Sequence, residues 1–186
     1  MGDPRKARKT YSRPRSPWRA DQLAQELYLL GTFGLRNKRE LWKAQTRLSS
    51  VRKQARTLLA ATQQVRLREE KKLLTSLHRQ GLVAEGAALD DILNLTVEDV
   101  LGRRLQTLVF KKGMAISALH ARQLVVHGHV MIGERSVDVP GYMVQVQEEG
   151  NIKLTGLKAP EAAATAEAIA AMPQEPKAEA GTVTPE

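Results

Sequence analysis

Residues Arg103 to Val144 read RRLQTLVFKKGMAISALHARQLVVHGHVMIGERSVDVPGYMV, and the reading of this run decides the fold. Leu105, Leu108 and Val109 recur at helical spacing and Lys111, Lys112 and Gly113 follow, so a short helix ends on a glycine with cations in its last turn. Ser117 is placed to N-cap a second helix. Ala121, Leu124 and Val125 form its inner face, while His120, Gln123 and His127 share an outer one. Gly128 closes that helix. Val130 to Ile132 and Val137 to Val139 flank Gly133-Glu134-Arg135-Ser136 and predict two short strands around a turn, with Pro140-Gly141 as the next corner. Tyr142, Val144 and Val146 then alternate with Met143, Gln145 and Gln147, and after a turn at residues 148–151 a return strand is expected over Asn151 to Thr155.

Upstream of this run, Thr96 and Asp99 form a capping box that starts the helix leading into it. Gly102 costs that helix about 1 kcal/mol relative to Ala, which favours a break between two helices there. Leu89 to Leu95 reads as a short apolar connector, and residues 62 to 86 as a helix with Leu67, Leu74 and Leu77 inward, Lys71 and Lys72 outward and Gly81 at its end. Asn37 with Glu40 opens a long helix whose Leu41, Ala44, Leu48, Val51, Ala55 and Leu58 repeat at three and four residues. Before it, Ser16-Pro17 starts a helix with a Leu23, Leu27 and Leu30 stripe that Gly31 ends. Gly31 and Gly34 are spaced glycines without a Walker-type Lys-Ser/Thr, so they are read as a helix-to-helix turn. The pattern as a whole predicts an α+β chain: an extended basic arm over residues 1–19, a helical unit over 20–102, a two-helix plus antiparallel-strand module over 103–156, and an Ala/Glu/Pro-rich flexible tail over 157–186.

Charge is distributed as unevenly as structure. Residues 1 to 86 carry 20 Lys and Arg against 7 Asp and Glu, residues 87 to 156 carry 7 against 8, and residues 157 to 186 carry 2 against 5. The net charge of +9 therefore lies in the first half, where it points to a polyanionic partner. The chain of 186 residues is 42% hydrophobic but only 4% aromatic, which suits compact modules better than a large catalytic domain. With no Cys, disulfides and thiolate zinc sites are excluded, and an intracellular chain is the simple reading. No apolar run reaches a membrane span and no signal-peptide core is seen, so a cytoplasmic location is expected.

Chemistry that turns over a substrate has no visible home here. The pair His127 and His129 lacks the further ligands a metal would need, and Asp90-Asp91 and Glu98-Asp99 sit where helix starts want negative charge. No triad order with a nucleophile elbow, dinucleotide fingerprint or HExxH helix occurs. The expectation is no enzyme, no cofactor, no metal and no small-molecule substrate.

The central run closely resembles the RNA-binding module named after the S-four family of small-subunit ribosomal proteins. Arg103-Arg104-Leu105-Gln106, Ala121 to Val130 and Pro140-Gly141-Tyr142 carry the match. Gly133-Glu134 stands where the family usually has Asn-Gly, Gly141 replaces a Ser, and Gly102 sits where Glu is common. Lys9 to Pro17, Leu30 to Trp42 and Val97 to Thr107 are similar to blocks of the archaeal and eukaryotic branch, so the resemblance spans roughly residues 5 to 155. Some members of that branch carry a Cys cluster near the N-terminus, which this chain lacks.

The resemblance implies a ribonucleoprotein that binds folded small-subunit rRNA, touches neighbouring small-subunit ribosomal proteins, sits near the path by which mRNA enters the ribosome and influences decoding accuracy. The same module is also appended to pseudouridine synthases and tyrosyl-tRNA synthetases, so a relative of an RNA-modifying enzyme is one alternative, and a free RNA chaperone another. Candidate RNA contacts come first from the arm: Arg5, Lys6, Arg8, Lys9, Arg13, Arg15 and Arg19, with Tyr11 and Trp18 able either to stack on bases or to pin the arm. The long helix and its entrance offer Arg36, Lys38, Arg39, Lys43, Arg47, Arg52, Lys53 and Arg56. The module adds Arg103, Arg104, Lys111, Lys112, Ser117, His120, Arg122, Gln123, His127, His129 and Arg135, of which Arg122 and Gln123 are open to a purely bracing role.

Overall fold

The computed structural model describes residues 9–155. The tail, and Arg5, Lys6 and Arg8 of the arm, lie outside them.

The helical half begins with α1 (Ala20–Thr32), α2 (Lys38–Leu59) and α3 (Gln63–Arg79), followed by two short helices, α4 (Leu89–Asn94) and α5 (Val97–Gly102). Asn37 caps α2 as its sequence predicts, its Oδ1 accepting the Glu40 N–H at 3.3 Å. Leu41, Ala44, Leu48 and Ala55 of α2 are buried and meet Leu77, Leu89, Ile92, Val100 and Leu101 in one apolar cluster. The Thr96 and Asp99 box is complete: the Asp99 carboxylate accepts from the Thr96 N–H at 2.7 Å, and the Thr96 hydroxyl accepts from the Asp99 N–H at 3.4 Å.

Several boundaries differ from expectation. The first helix starts at Ala20, because Pro17-Trp18 form a separate turn and Arg19 is still extended. Its Leu30 packs on the core and Leu23 is half-buried as the stripe predicts, but Leu27 is 61% exposed while Glu26 is only 3% exposed, so the inner face is turned away from Leu27. The rotation has a polar cause. Glu26 accepts hydrogen bonds from Trp42 Nε1 at 3.0 Å and Gln22 Nε2 at 3.3 Å and pairs with Lys38 at 3.0 Å, partners that make its burial affordable. Gly31 lies inside α1, and the terminating glycine is Gly34, with φ +57 and a Leu35 N–H bonded back to the Leu30 carbonyl at 3.0 Å. Helix α3 stops at Arg79 before Gly81 (φ +69), and its Leu67 is 56% exposed. Leu89 to Leu95 is mostly helix rather than plain connector: Asp91 accepts the Ala88 N–H at 2.8 Å, and Leu89 and Ile92 go inward.

The second half contains α6 (Leu105–Lys111), α7 (Ala118–Val126), β1 (Val130–Ile132), β2 (Arg135–Ser136), α8 (Val146–Glu149) and β3 (Ile152–Leu154). Ser117 caps α7 by accepting the His120 N–H at 3.1 Å, and Gly113 and Gly128 end α6 and α7 with φ +71 and +74. The strands form an antiparallel sheet in the order β2-β1-β3. Its hairpin turn is tighter than predicted. Ile132 pairs with Arg135, so only Gly133 and Glu134 lie in the turn, and Val137 makes one further bond to Val130 before the chain leaves the sheet. Gly133 at φ +64 followed by a residue of ordinary φ suits a two-residue II′ turn, which leaves no room for a four-residue loop.

The alternating strand expected from Tyr142 to Gln147 is short, bridging only Met143 to Arg104. Glu148 then ends it: its carboxylate accepts from the Gln145 N–H at 3.0 Å and the Tyr142 hydroxyl at 2.9 Å, which folds residues 146–149 into a helical turn. Leu105, Val109, Ala121, Val125, Val130, Val144 and Ile152 make a second buried cluster. The bridge stitches the two clusters together, since Met143 packs on the first and Val144 belongs to the second.

Candidate nucleic-acid interface

The long helix α2 has an apolar seam and, beside it, an exposed cationic flank of Arg39, Lys43 and Arg47. No ion pair among the described residues involves these three, nor Arg36, Lys53, Arg56, Lys111 or Arg135. Arg47 donates instead to a neutral group, Gln80 Oε1, at 2.8 Å. A flank of this kind keeps its full charge available to an anion.

The arm lies against that helix. Tyr11 stacks on Trp42 with ring centroids 5.9 Å apart, and the Ser12 N–H donates to Thr46 Oγ1 at 2.9 Å. Of the two aromatics in the arm, Tyr11 is thus a pin, while Trp18 is 86% exposed. A hydrogen bond from Arg13, with Arg39, Arg13 and Lys9 nearby, pulls the Tyr11 phenol below its ordinary pKa against some desolvation. The arm cations and the α2 flank therefore form one field. Arg15 and Arg19 continue it as exposed side chains, and Lys9 sits 5.6 Å from the centre of the Tyr11 ring.

Other candidate cations are committed inside the protein. Lys38 pairs with Glu26, and Arg52 donates to the Leu95 carbonyl at the end of α4. Arg103 binds Glu149 at 2.8 Å, the Gln80 carbonyl at 3.0 Å and the Val144 carbonyl at 3.3 Å, while Lys112 donates to the Glu149 carbonyl. Arg104 and Arg122 converge on Glu40: Arg104 Nη2 reaches Oε2 at 2.6 Å and Arg122 Nη2 reaches Oε1 at 2.7 Å. Burial tends to raise the Glu40 pKa, but the Arg122 hydrogen bond and the charges of Arg104 and Arg122 hold it below the ordinary carboxylate value. Burial likewise pulls Arg104 below its usual value, with Glu40 opposing.

Gln106, 1% exposed, extends this clamp. Its Nε2 faces the carbonyls of Gly34 at 2.9 Å, Ala118 at 2.9 Å and Phe33 at 3.2 Å, tying the α1–α2 turn to the start of α7. Sequence reasoning assigned no such role to Glu40 or Gln106. The available signal was one carboxylate inside the run RNKRELWK, which a helix start alone explained.

On the module, Gln123 of α7 and His127 at its C-cap are exposed and His129 is half-buried, its ring 6.4 Å from that of His127. Ser117 is spent on its cap, and His120 Nδ1 accepts the Ile116 N–H at 3.3 Å. No group of three or more His, Cys, Asp or Glu able to hold a metal ion occurs among the described residues. None of the described helices is long and apolar enough to cross a membrane.

Between α2 and the Pro140–Met143 corner, Lys43, Arg47, Arg104 and Arg122 line a cleft around Glu40, where the cationic flank meets the clamp. Residues 5–102 match the family described as ribosomal protein S4/S9 N-terminal domain, and residues 103–149 match the S4 domain. The chain belongs to the ribosomal protein S4 family. Its similarity to family members is high: it is 58% identical over 156 residues to small ribosomal subunit protein uS4 of Cenarchaeum symbiosum, covering 84% of this chain and 76% of that one. The uS4 protein of Ignicoccus hospitalis is 56% identical over 149 residues, covering 80% of this chain and 90% of its own length. That of Methanothermobacter thermautotrophicus is 49% identical over 152 residues, covering 82% and 89%. The junction between the two S4-family matches, at residues 102 and 103, falls where α5 gives way to the Arg104 bridge.

Proposed function

We infer that this chain is a structural component of the small ribosomal subunit that binds small-subunit rRNA and stabilises its fold during assembly and translation. The observation that carries the reading is the flank Arg39, Lys43 and Arg47, unpaired by carboxylates and continuous with a pinned basic arm, on a chain of the S4 family. Cations held on a rigid helix can match the phosphate spacing of a shaped RNA, and guanidinium forks suit phosphate oxygens. The contact set proposed is the exposed part of the candidates: Lys9, Arg13, Arg15, Arg19, Arg36, Arg39, Lys43, Arg47, Lys53, Arg56, Lys111, Gln123, His127 and Arg135. Arg103 acts from within, bracing the surfaces that present the others, and Lys112, although exposed, is tied to the Glu149 carbonyl.

The protein is not an enzyme on this reading, and its site is the ribosome, in the cytoplasm. Neighbouring small-subunit ribosomal proteins are partners. Contact with mRNA on its way in, and an influence on decoding accuracy, extend the same reading and rest on the resemblance alone. The curated relatives above are ribosomal proteins, which favours this over an RNA-modifying enzyme.

The test is binding of the full chain to a small-subunit rRNA fragment across a salt series. Log affinity is expected to fall with log salt by roughly 0.7 to 0.9 per neutralised phosphate. Reversing Arg39, Lys43 and Arg47 to Glu is expected to weaken binding far more than reversing Lys158 and Lys177. Equal effects, or a flat salt dependence, would refute the assignment of the α2 flank.

A further inference from the structure

The cleft of about 440 Å³ between α2 and the Pro140–Met143 corner has a charge imbalance that the protein itself does not resolve. Four cationic side chains, Lys43, Arg47, Arg104 and Arg122, surround a single carboxylate, Glu40. Glu40 accepts one hydrogen bond from Arg104 Nη2 and two from Arg122, at 3.2 and 2.7 Å. Arg104 is 8% exposed, and its Nε has no hydrogen-bond partner among the described residues. A buried guanidinium N–H without an acceptor is costly, and five donors in a fixed fork leave several unspent. Ala44, Val100, Val139 and Met143 form apolar walls, which strengthen any charge interaction inside. Gly141 completes the opening. A Cβ there would stand 3.5 Å from Arg104 Nη2, so the absent side chain leaves room beside the guanidinium.

We propose that this cleft seats one phosphodiester group of the rRNA backbone, with Arg104 and Arg122 at its floor and Lys43 and Arg47 at its rim. This deepens the rRNA-binding reading and rests on it. The shape of the site makes it more than a patch. The floor cations are fixed by Glu40, so they are preorganised, while the rim cations are exposed and complete the shell when the phosphate arrives.

Two variants of the full chain test the proposal. Gly141→Leu fills the mouth of the cleft from a position where the first added carbon meets only ordinary contacts. Lys43→Gln with Arg47→Gln removes the rim and leaves the core alone. Gly141→Leu is expected to weaken rRNA binding about tenfold and reduce the salt slope by roughly 0.7 to 0.9, the share of one phosphate. The rim pair is expected to reduce the slope by more than Lys71→Gln with Lys72→Gln, an outward pair on α3. Wild-type affinity and slope in Gly141→Leu with an unchanged melting temperature would overturn the seat while leaving rRNA binding intact, whereas equal slopes for the Lys43/Arg47 and Lys71/Lys72 pairs would overturn the seat together with the α2 flank as a contact surface. Failure of the unaltered chain to bind rRNA would instead overturn the functional reading beneath it. Inorganic phosphate is a further arm: saturable binding that Gly141→Leu abolishes without altering rRNA affinity would overturn the proposal in favour of a free anion.

Discussion

Replacing Glu40 by Gln removes one negative charge from between two guanidinium groups while keeping the shape of the side chain. At an effective dielectric of about 20, a unit charge pair separated by about 4 Å is worth roughly 4 kcal/mol, and Glu40 makes two such pairs. The Glu40 side chain is 19% exposed and that of Arg122 21%, so solvent screens part of the second pair. Arg104, at 10% side-chain exposure, has little water to turn to and is left facing Arg122. Breaking a buried pair from one side typically costs 3–5 kcal/mol, and the residual exposure places this case at about 3 kcal/mol. For a folded body of this size that corresponds to a melting temperature roughly 6 to 12 °C lower. Thermal and urea unfolding followed by circular dichroism reads the change directly, with Glu134→Gln, an exposed turn position, as control expected within about 0.5 kcal/mol. Arg122→Gln is expected to cost less than Glu40→Gln, because Arg104 then keeps its counter-charge. A Glu40→Gln loss below about 1 kcal/mol, indistinguishable from the control, would mean that the clamp is not what holds the two halves together.

The same carboxylate sets an acid limit. Glu40 and Glu26 both titrate below the ordinary carboxylate value when folded, despite burial, so their contribution is complete above the unfolded value of about 4.3 and is lost as pH falls through the folded one. Stability is therefore expected to be flat from neutral pH to about 5 and to drop below about 4.5, with the gap between wild type and Glu40→Gln narrowing at the acid end. A gap in urea midpoint that stays constant down to pH of about 3 would contradict this. Gly34→Ala is expected to cost about 2–3 kcal/mol, since φ is +57 and the new methyl would lie 2.9 Å from the Ala118 Cβ. Gly133→Ala, at φ +64 with open space around it, should cost only about 1 kcal/mol, and equal losses in chemical denaturation would show that the close approach at Gly34 carries no energy.

What the sequence made readable was local. Asn37, Thr96 and Ser117 each cap the helix they announce, because a cap is settled within four residues. The inner face of α2 was readable over about five turns of repetition, Leu41 to Leu58. Helix α1 misled because its buried residue is a carboxylate whose partners, Lys38 and Trp42, come from the next helix. Helices α4 and α8, of 6 and 4 residues, are too short to show a period. The basic surface was legible as a quantity but not as a division of labour. Arg104 and Arg122 look like Arg39 and Arg56 in sequence, and only their meeting with Glu40, 64 and 82 residues away, separates cations fixed in place by a carboxylate from cations on the open flank.

The alternation of Met143 and Val144 between two apolar clusters bears on how the chain acquires its shape as it is synthesised. Helices α1 to α5 precede the bridge, yet their cluster lacks a packing side chain until Met143 emerges. A nascent chain truncated before Tyr142 is expected to expose that face to proteases, and one extended past Val144 to close it. Synthesis of Met143 and Val144 thus completes both clusters after the Arg104, Gln106 and Arg122 contacts to the helical half have already been made available.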